Sequence, residues 1–109
     1  MATTYKVLGQ VIPAATTATT LYTVPAATAT VVSTIVICNQ AATSATFRIA
    51  IRPVGATLAT LHYAAFDVAV GANDSTALTL GITLDAADVL TVYASSADMT
   101  FSVFGSEIA

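Results

Sequence analysis

The sequence is short of charge. Of its 109 residues, three are basic and six acidic. That is 8% charged, where an ordinary soluble domain carries about 25%. The only cations are Lys6, Arg48 and Arg52. Three isolated basic side chains cannot line a phosphate-binding groove, which excludes nucleic acid as a partner. There is one cysteine, Cys38, so no disulfide framework exists. Tryptophan is absent. No apolar run approaches the roughly 18 residues of a membrane-crossing helix. Thr and Ser interrupt every stretch, and the best candidate, Val31 to Cys38, contains Ser33 and Thr34. The chain also lacks the aromatic girdles of an outer-membrane barrel. The five glycines are isolated, and none opens a phosphate-cradling loop.

What is present is apolar. The hydrophobic fraction is 56%, and the mean hydropathy is +0.82. The length fits one domain with one core, spanning residues 1–109. Such a domain leaves roughly 5,600 Å² in water, or about one charge per 600 Å². A free monomer of that kind has little to keep it from its neighbours. With the membrane excluded by pattern, much of the surface is expected to be covered by protein. The opening Met-Ala-Thr-Thr-Tyr-Lys has no basic segment followed by an apolar one. Synthesis in a cytoplasm, with action elsewhere after assembly, is the expectation.

Periodicity points to strands. Thr, Val and Ile are frequent, and no stripe at helical spacing can be drawn. Alternation and turn residues predict about eight strands: Tyr5 to Ile12, Thr19 to Val24, Thr30 to Asn39, Ala45 to Arg52, Leu61 to Phe66, Ser75 to Leu80, Val89 to Ala94 and Thr100 to Phe104. Pro13, Pro25 and Pro53 all fall at strand ends, where a missing N–H costs no ladder bond. The predicted fold is all-β, an antiparallel sandwich of jelly-roll type. The Ala/Thr-rich stretch from Pro13 to Thr20 reads as a loop, or as part of an arm within residues 1–20 that orders on a neighbour.

The faces of two strands carry information. Phe47, Ile49 and Ile51 alternate with Arg48, Ala50 and Arg52, giving one core face and one polar face. In the third strand Val31, Ile35 and Ile37 share one face, and Val32, Val36 and Cys38 share the other. A strand apolar on both faces is covered on both. Val32, Val36 and Cys38 are therefore candidate subunit-interface residues. Arg48 and Arg52 lie on one face of the fourth strand and are candidates for docking onto an acidic partner.

Catalytic constellations are thin. His62 is the only histidine, and Asp67 is near it in sequence. Cys38 sits in an apolar run that keeps a thiol inert. Asp74, Asp85, Asp88 and Asp98 supply too few oxygens at too irregular a spacing for calcium, and read as turn caps. No facing pair of acids suggests a glycosidase cleft. Tyr22, Tyr63 and Tyr93 are candidates for a sugar-stacking platform or for sandwich-edge packing. No catalytic residue, metal or cofactor is expected.

A family resemblance can be placed on specific segments. Leu21-Tyr22-Thr23-Val24-Pro25-Ala26, Val31 to Asn39, and Phe47-Arg48-Ile49-Ala50-Ile51-Arg52-Pro53 resemble small virion structural proteins of tailed bacteriophages. Asp88 to Ser95 and Phe101 to Glu107 are similar too. The resemblance implies a β-sandwich capsid decoration (cement) protein, or a component of a head or tail appendage. It implies a place on the capsid exterior, a homo-oligomer, often a trimer, and contact with the major capsid protein or other virion proteins.

Overall fold

Residues 2–109 are described by a computed structural model. Among the described residues nine strands follow one another: β1 (Thr3–Val11), β2 (Thr19–Thr23), β3 (Ala29–Asn39), β4 (Ala45–Arg52), β5 (Tyr63–Val70), β6 (Ser75–Leu78), β7 (Ile82–Leu84), β8 (Val89–Ala94) and β9 (Met99–Ile108). Two 3-10 turns, Pro53–Gly55 and Thr60–His62, lie in the β4–β5 connection.

The strands form two antiparallel sheets. One is five-stranded in the order β1-β9-β3-β6, with β7 also on β3. The other is four-stranded in the order β2-β8-β4-β5. β6 and β7 pair with successive parts of β3, so they act as one interrupted strand. Counted that way, the chain passes between the sheets in the order of an eight-stranded jelly roll. The interruption is at Gly81, whose φ of +67° only glycine adopts freely.

The core lies between the sheets. Phe47, Ile49, Leu90 and Val92 come from the four-stranded sheet, and Ile35, Ile37, Met99, Phe101 and Val103 from the other; all are buried. The rings of Phe47 and Phe101 meet edge to face across the gap, 6.2 Å between centroids. Each side chain of this size contributes roughly 1.5–3 kcal/mol on full burial. Asn39, wholly buried at the end of β3, ties the corner together. Its Nδ2 donates to the carbonyls of Thr43, Val70 and Gly71, and its Oδ1 accepts from the N–H of Ala41.

The structure corrects several sequence expectations. β9 runs through Gly105 to Ile108 instead of stopping at Phe104. β5 begins at Tyr63, two residues later than expected, and continues to Val70. The strand expected over Ser75 to Leu80 ends at Leu78, and a separate β7 follows. The Ala/Thr-rich stretch after Pro13 is a loop, as one of the two expected alternatives had it; it crosses from one sheet to the other, and the Thr16 N–H bonds the Ala94 carbonyl at 2.8 Å.

The largest correction concerns β3. A bulge between Val32 and Thr34 places two residues against one on β9. Alternation therefore slips by one at Ser33. Val32 turns into the core and is 4% exposed, so it is not an outer-face residue. Val31 takes the outward place. Val36 and Cys38, beyond the bulge, point outward as expected.

Candidate interaction surface

The outer face of the five-stranded sheet is built from cross-strand rows. Tyr5, Ser106, Val31 and Thr83 form one row; Val7, Phe104 and Thr34 form the next. Gln10, Ser102, Val36 and Ala77 form a third, and Thr100, Cys38 and Ser75 a fourth. Among the described residues, no Lys, Arg, Asp or Glu stands in any of these rows. Tyr5 is 83% exposed, Val7 48% and Val31 40%. Ile12, just beyond the end of β1, is also exposed. Beside the bulge, Tyr5, Val31, Phe104 and Gly105 line a groove of about 440 Å³. Lys6 reaches its rim, but its ammonium is held by Glu107 at 2.8 Å. The polar groups of the face are hydroxyls and one amide, and Gln10 Nε2 donates to Ser102 Oγ at 3.2 Å.

The outer face of the four-stranded sheet is different, because the chain covers part of it itself. The β4–β5 connection folds over it. Ala50, Val89 and Thr91 are buried there although they point away from the core. Arg52 pins the connection, donating to Thr91 Oγ1 at 3.0 Å and to the carbonyls of Gly55 and Ala56. Asp88 Oδ1 accepts from the Val54 N–H at 2.9 Å. Val54 is held at φ +53°. For a β-branched residue that conformation costs about 1–3 kcal/mol, which those bonds offset.

Next to this cover, Arg48 gathers a ring cluster. Its guanidinium carbon lies 4.1 Å from the Phe66 ring centroid and 4.3 Å from that of Tyr93. Arg48 Nε and Nη2 donate to the two carboxylate oxygens of Asp67 at 2.7 and 3.3 Å. A bulge in β5 sets Phe66 and Asp67 together opposite Arg48, with Asp67 at φ +51°. Tyr63 meets the Phe66 ring edge to face at 5.0 Å. Asp67 also raises the Arg48 pKa above the ordinary arginine value, by its hydrogen bonds first. The cation is therefore committed within the chain.

A third polar group sits between the sheets at one end. Glu107 accepts from Lys6 and from the Tyr22 hydroxyl, and Thr30 donates to the Tyr22 oxygen at 2.8 Å. The Lys6 ammonium, with help from Tyr22, holds the Glu107 carboxyl below its usual range. Burial, and then donation to Glu107, pushes the Tyr22 phenol up to about 12.

These placements divide the sequence candidates. Val36 and Cys38 share the uncharged outer face, while Arg48 and Arg52 lie on the opposite side of the sandwich, each with two of its three nitrogens bonded within the chain. Cys38, His62 and Asp67 are not brought together: Cys38 faces out from β3, His62 Nδ1 accepts the Ala59 N–H, and Asp67 pairs with Arg48. Among the described residues no group of three or more His, Cys, Asp or Glu lies together in a way that could hold a metal ion. Asp74, Asp85 and Asp88 accept from backbone N–H groups in their turns, as caps do. Tyr63 and Tyr93 both flank Arg48, but Tyr22 is buried elsewhere.

Alternation missed Tyr5, Val7, Val31 and Phe104 on the uncharged face. The available signal was the Ser33-Thr34 pair, which separates Val32 from Ile35 by three positions instead of two. Phe66 and Asp67 were missed as partners of Arg48, and nothing in the spacing of β5 marks its bulge. In comparison with known proteins, the sequence matches no family model and no curated protein.

Proposed function

We propose that this chain is a structural subunit of a bacteriophage particle: a capsid cement or decoration protein that binds the outer shell and acts by binding alone. One observation carries the reading. One sheet face is largely open, partly apolar and free of charge, whereas part of the opposite face is covered by the chain's own loop. An open sheet face that carries exposed Tyr5, Val7 and Val31 and no charge is the kind of surface that serves as a contact site. The sequence resemblance supplies the kind of assembly, and the jelly-roll wiring is compatible with it. The fold hosts other functions too and does not itself assign one.

Binding between neighbouring molecules stabilises the assembled state by mass action. Particles that lack the chain should rupture at a lower temperature, and purified chain added back should bind the shells and restore the rupture point. An unchanged rupture temperature together with no binding to shells overturns the reading.

A second reading, an appendage module that recognises host glycan, has one observation in its favour. Phe66 is 53% exposed although Arg48 covers one side of its ring, and it shares with Tyr63 and Thr60 a depression of about 380 Å³. An open aromatic face beside hydroxyls can stack on a sugar. A glycan array separates the two readings: a cement protein binds shells and no glycan.

A further inference from the structure

We infer that the uncharged outer face of the five-stranded sheet is the seat of a second copy of this chain, packed sheet on sheet about a two-fold axis. The inference deepens the structural role proposed above and rests on it, because it names the partner that covers this surface.

Area is the first reason. Four strands abreast at about 4.8 Å spacing make a face roughly 19 Å wide. β3 has 11 residues, which at about 3.3 Å each give it a length of roughly 36 Å. One copy then offers about 600–700 Å². A face-to-face pair hides about 1,300 Å² in total, within the range of stable interfaces. A ring of three would divide the same face into two unlike patches of about 300 Å² each, below what a specific contact needs.

Chemistry is the second reason. A two-fold interface brings a surface against itself, so the surface must be its own complement. A charged side chain passes that test only where the same face offers an opposite charge at the two-fold-related position, and charges of one sign or on the axis fail; the rows of this face hold no charge at all. Hydroxyls pass it anywhere on the face, since each can donate to or accept from whichever hydroxyl lies opposite. On this face the polar side chains are Thr34, Ser75, Thr83, Thr100, Ser102 and Ser106, with Gln10 and the Tyr5 phenol. They alternate with Val7, Val31, Val36 and Phe104. Two such faces stack about 10 Å apart in the ordinary manner of packed sheets. The opposite face, with Arg48, Asp67 and Arg52, carries the charges that this one lacks.

The test compares wild-type chain with Tyr5→Glu, Val7→Glu and Val36→Glu by sedimentation velocity at micromolar concentration. Leu61→Glu, in the loop on the other side, is the control. Tyr5 and Val7 are exposed enough that their variants fold, and circular dichroism verifies this. Wild type and Leu61→Glu should sediment as dimers, or as larger species built from dimers. The face variants should weaken pairing at least about 100-fold, because each buries two unpaired carboxylates. A wild-type monomer, a wild-type trimer, or face variants that pair as tightly as wild type overturns the inference. Shell binding is measured on the same samples. Monomers that still bind shells defeat the pairing and leave the virion role standing, with the face given to the shell. Dimers that bind no shell defeat the virion role and leave the pairing.

Discussion

A β-carbon on Gly105 would lie 2.1 Å from the carbonyl oxygen of Val31. The two strands approach there as no residue with a side chain permits, at the point where β3 bulges. Gly105→Ala must push β9 from β3 or unmake the bulge. A loss of about 3 kcal/mol is expected, at the upper end of overpacking costs. Urea denaturation measures it, and a stability within 0.5 kcal/mol of wild type would show that the approach is not constrained. Gly9, whose β-carbon would meet the Leu21 carbonyl oxygen at 2.3 Å, should behave in the same way.

Asn39 serves three backbone carbonyls and one N–H from a fully buried position. Replacing it by Leu keeps the bulk and leaves those groups without their partner. A buried unsatisfied group costs about 1–3 kcal/mol, so Asn39→Leu should destabilise by roughly 3 kcal/mol or more. Its melting temperature, compared with that of the exposed-site variant Thr43→Ala, checks this.

Stability should depend on pH through Glu107 and Tyr22, in opposite directions. The Glu107 carboxyl is held below its ordinary value of 4.5 by Lys6 and then by Tyr22. A depressed acid stabilises the fold above its unfolded value, and that stability is lost as pH falls below 4.5. Tyr22 is raised from 10.0 to about 12. A raised pKa favours the neutral fold below pH 10, and that stability is lost between pH 10 and about 12. The alkaline loss amounts to about 2–3 kcal/mol. Urea midpoints against pH should lose part of the acid limb in Glu107→Gln and part of the alkaline limb in Tyr22→Phe. Curves parallel to wild type would contradict the assignment.

Arg48 lies between two rings while pairing with both oxygens of Asp67. Lysine keeps the charge but neither stacks as a plane nor bonds in a fork. Arg48→Lys should release the β5 bulge, giving faster amide hydrogen exchange at Ala65 to Val68 with the core strands unchanged. Unaltered exchange would mean that Asp67 holds its backbone without Arg48.

Much of the fold was legible because most strands obey a period of two. β4 and β8 begin and end where alternation and Pro53 place them. The misreadings share a cause. Period-two reasoning assumes that no residue is inserted, and bulges insert one: Ser33 exchanged Val31 for Val32, and the β5 bulge hid the partnership of Asp67 with Arg48. The expected strand stops at Phe104, one residue short of Gly105, but this glycine serves close contact inside β9. The low charge count leads one to expect large uncharged areas of surface, yet placing the uncharged sheet face required knowing which strands lie side by side. That depends on pairings between residues about seventy positions apart, such as Val31 with Ser106.

Cys38 reports on the surface directly, since it is the only thiol and stands in the uncharged face. Maleimide labelling of Cys38 should be slow in the native assembly and at least tenfold faster in folded Tyr5→Glu monomers. Equal rates in the two samples would mean that nothing covers this face.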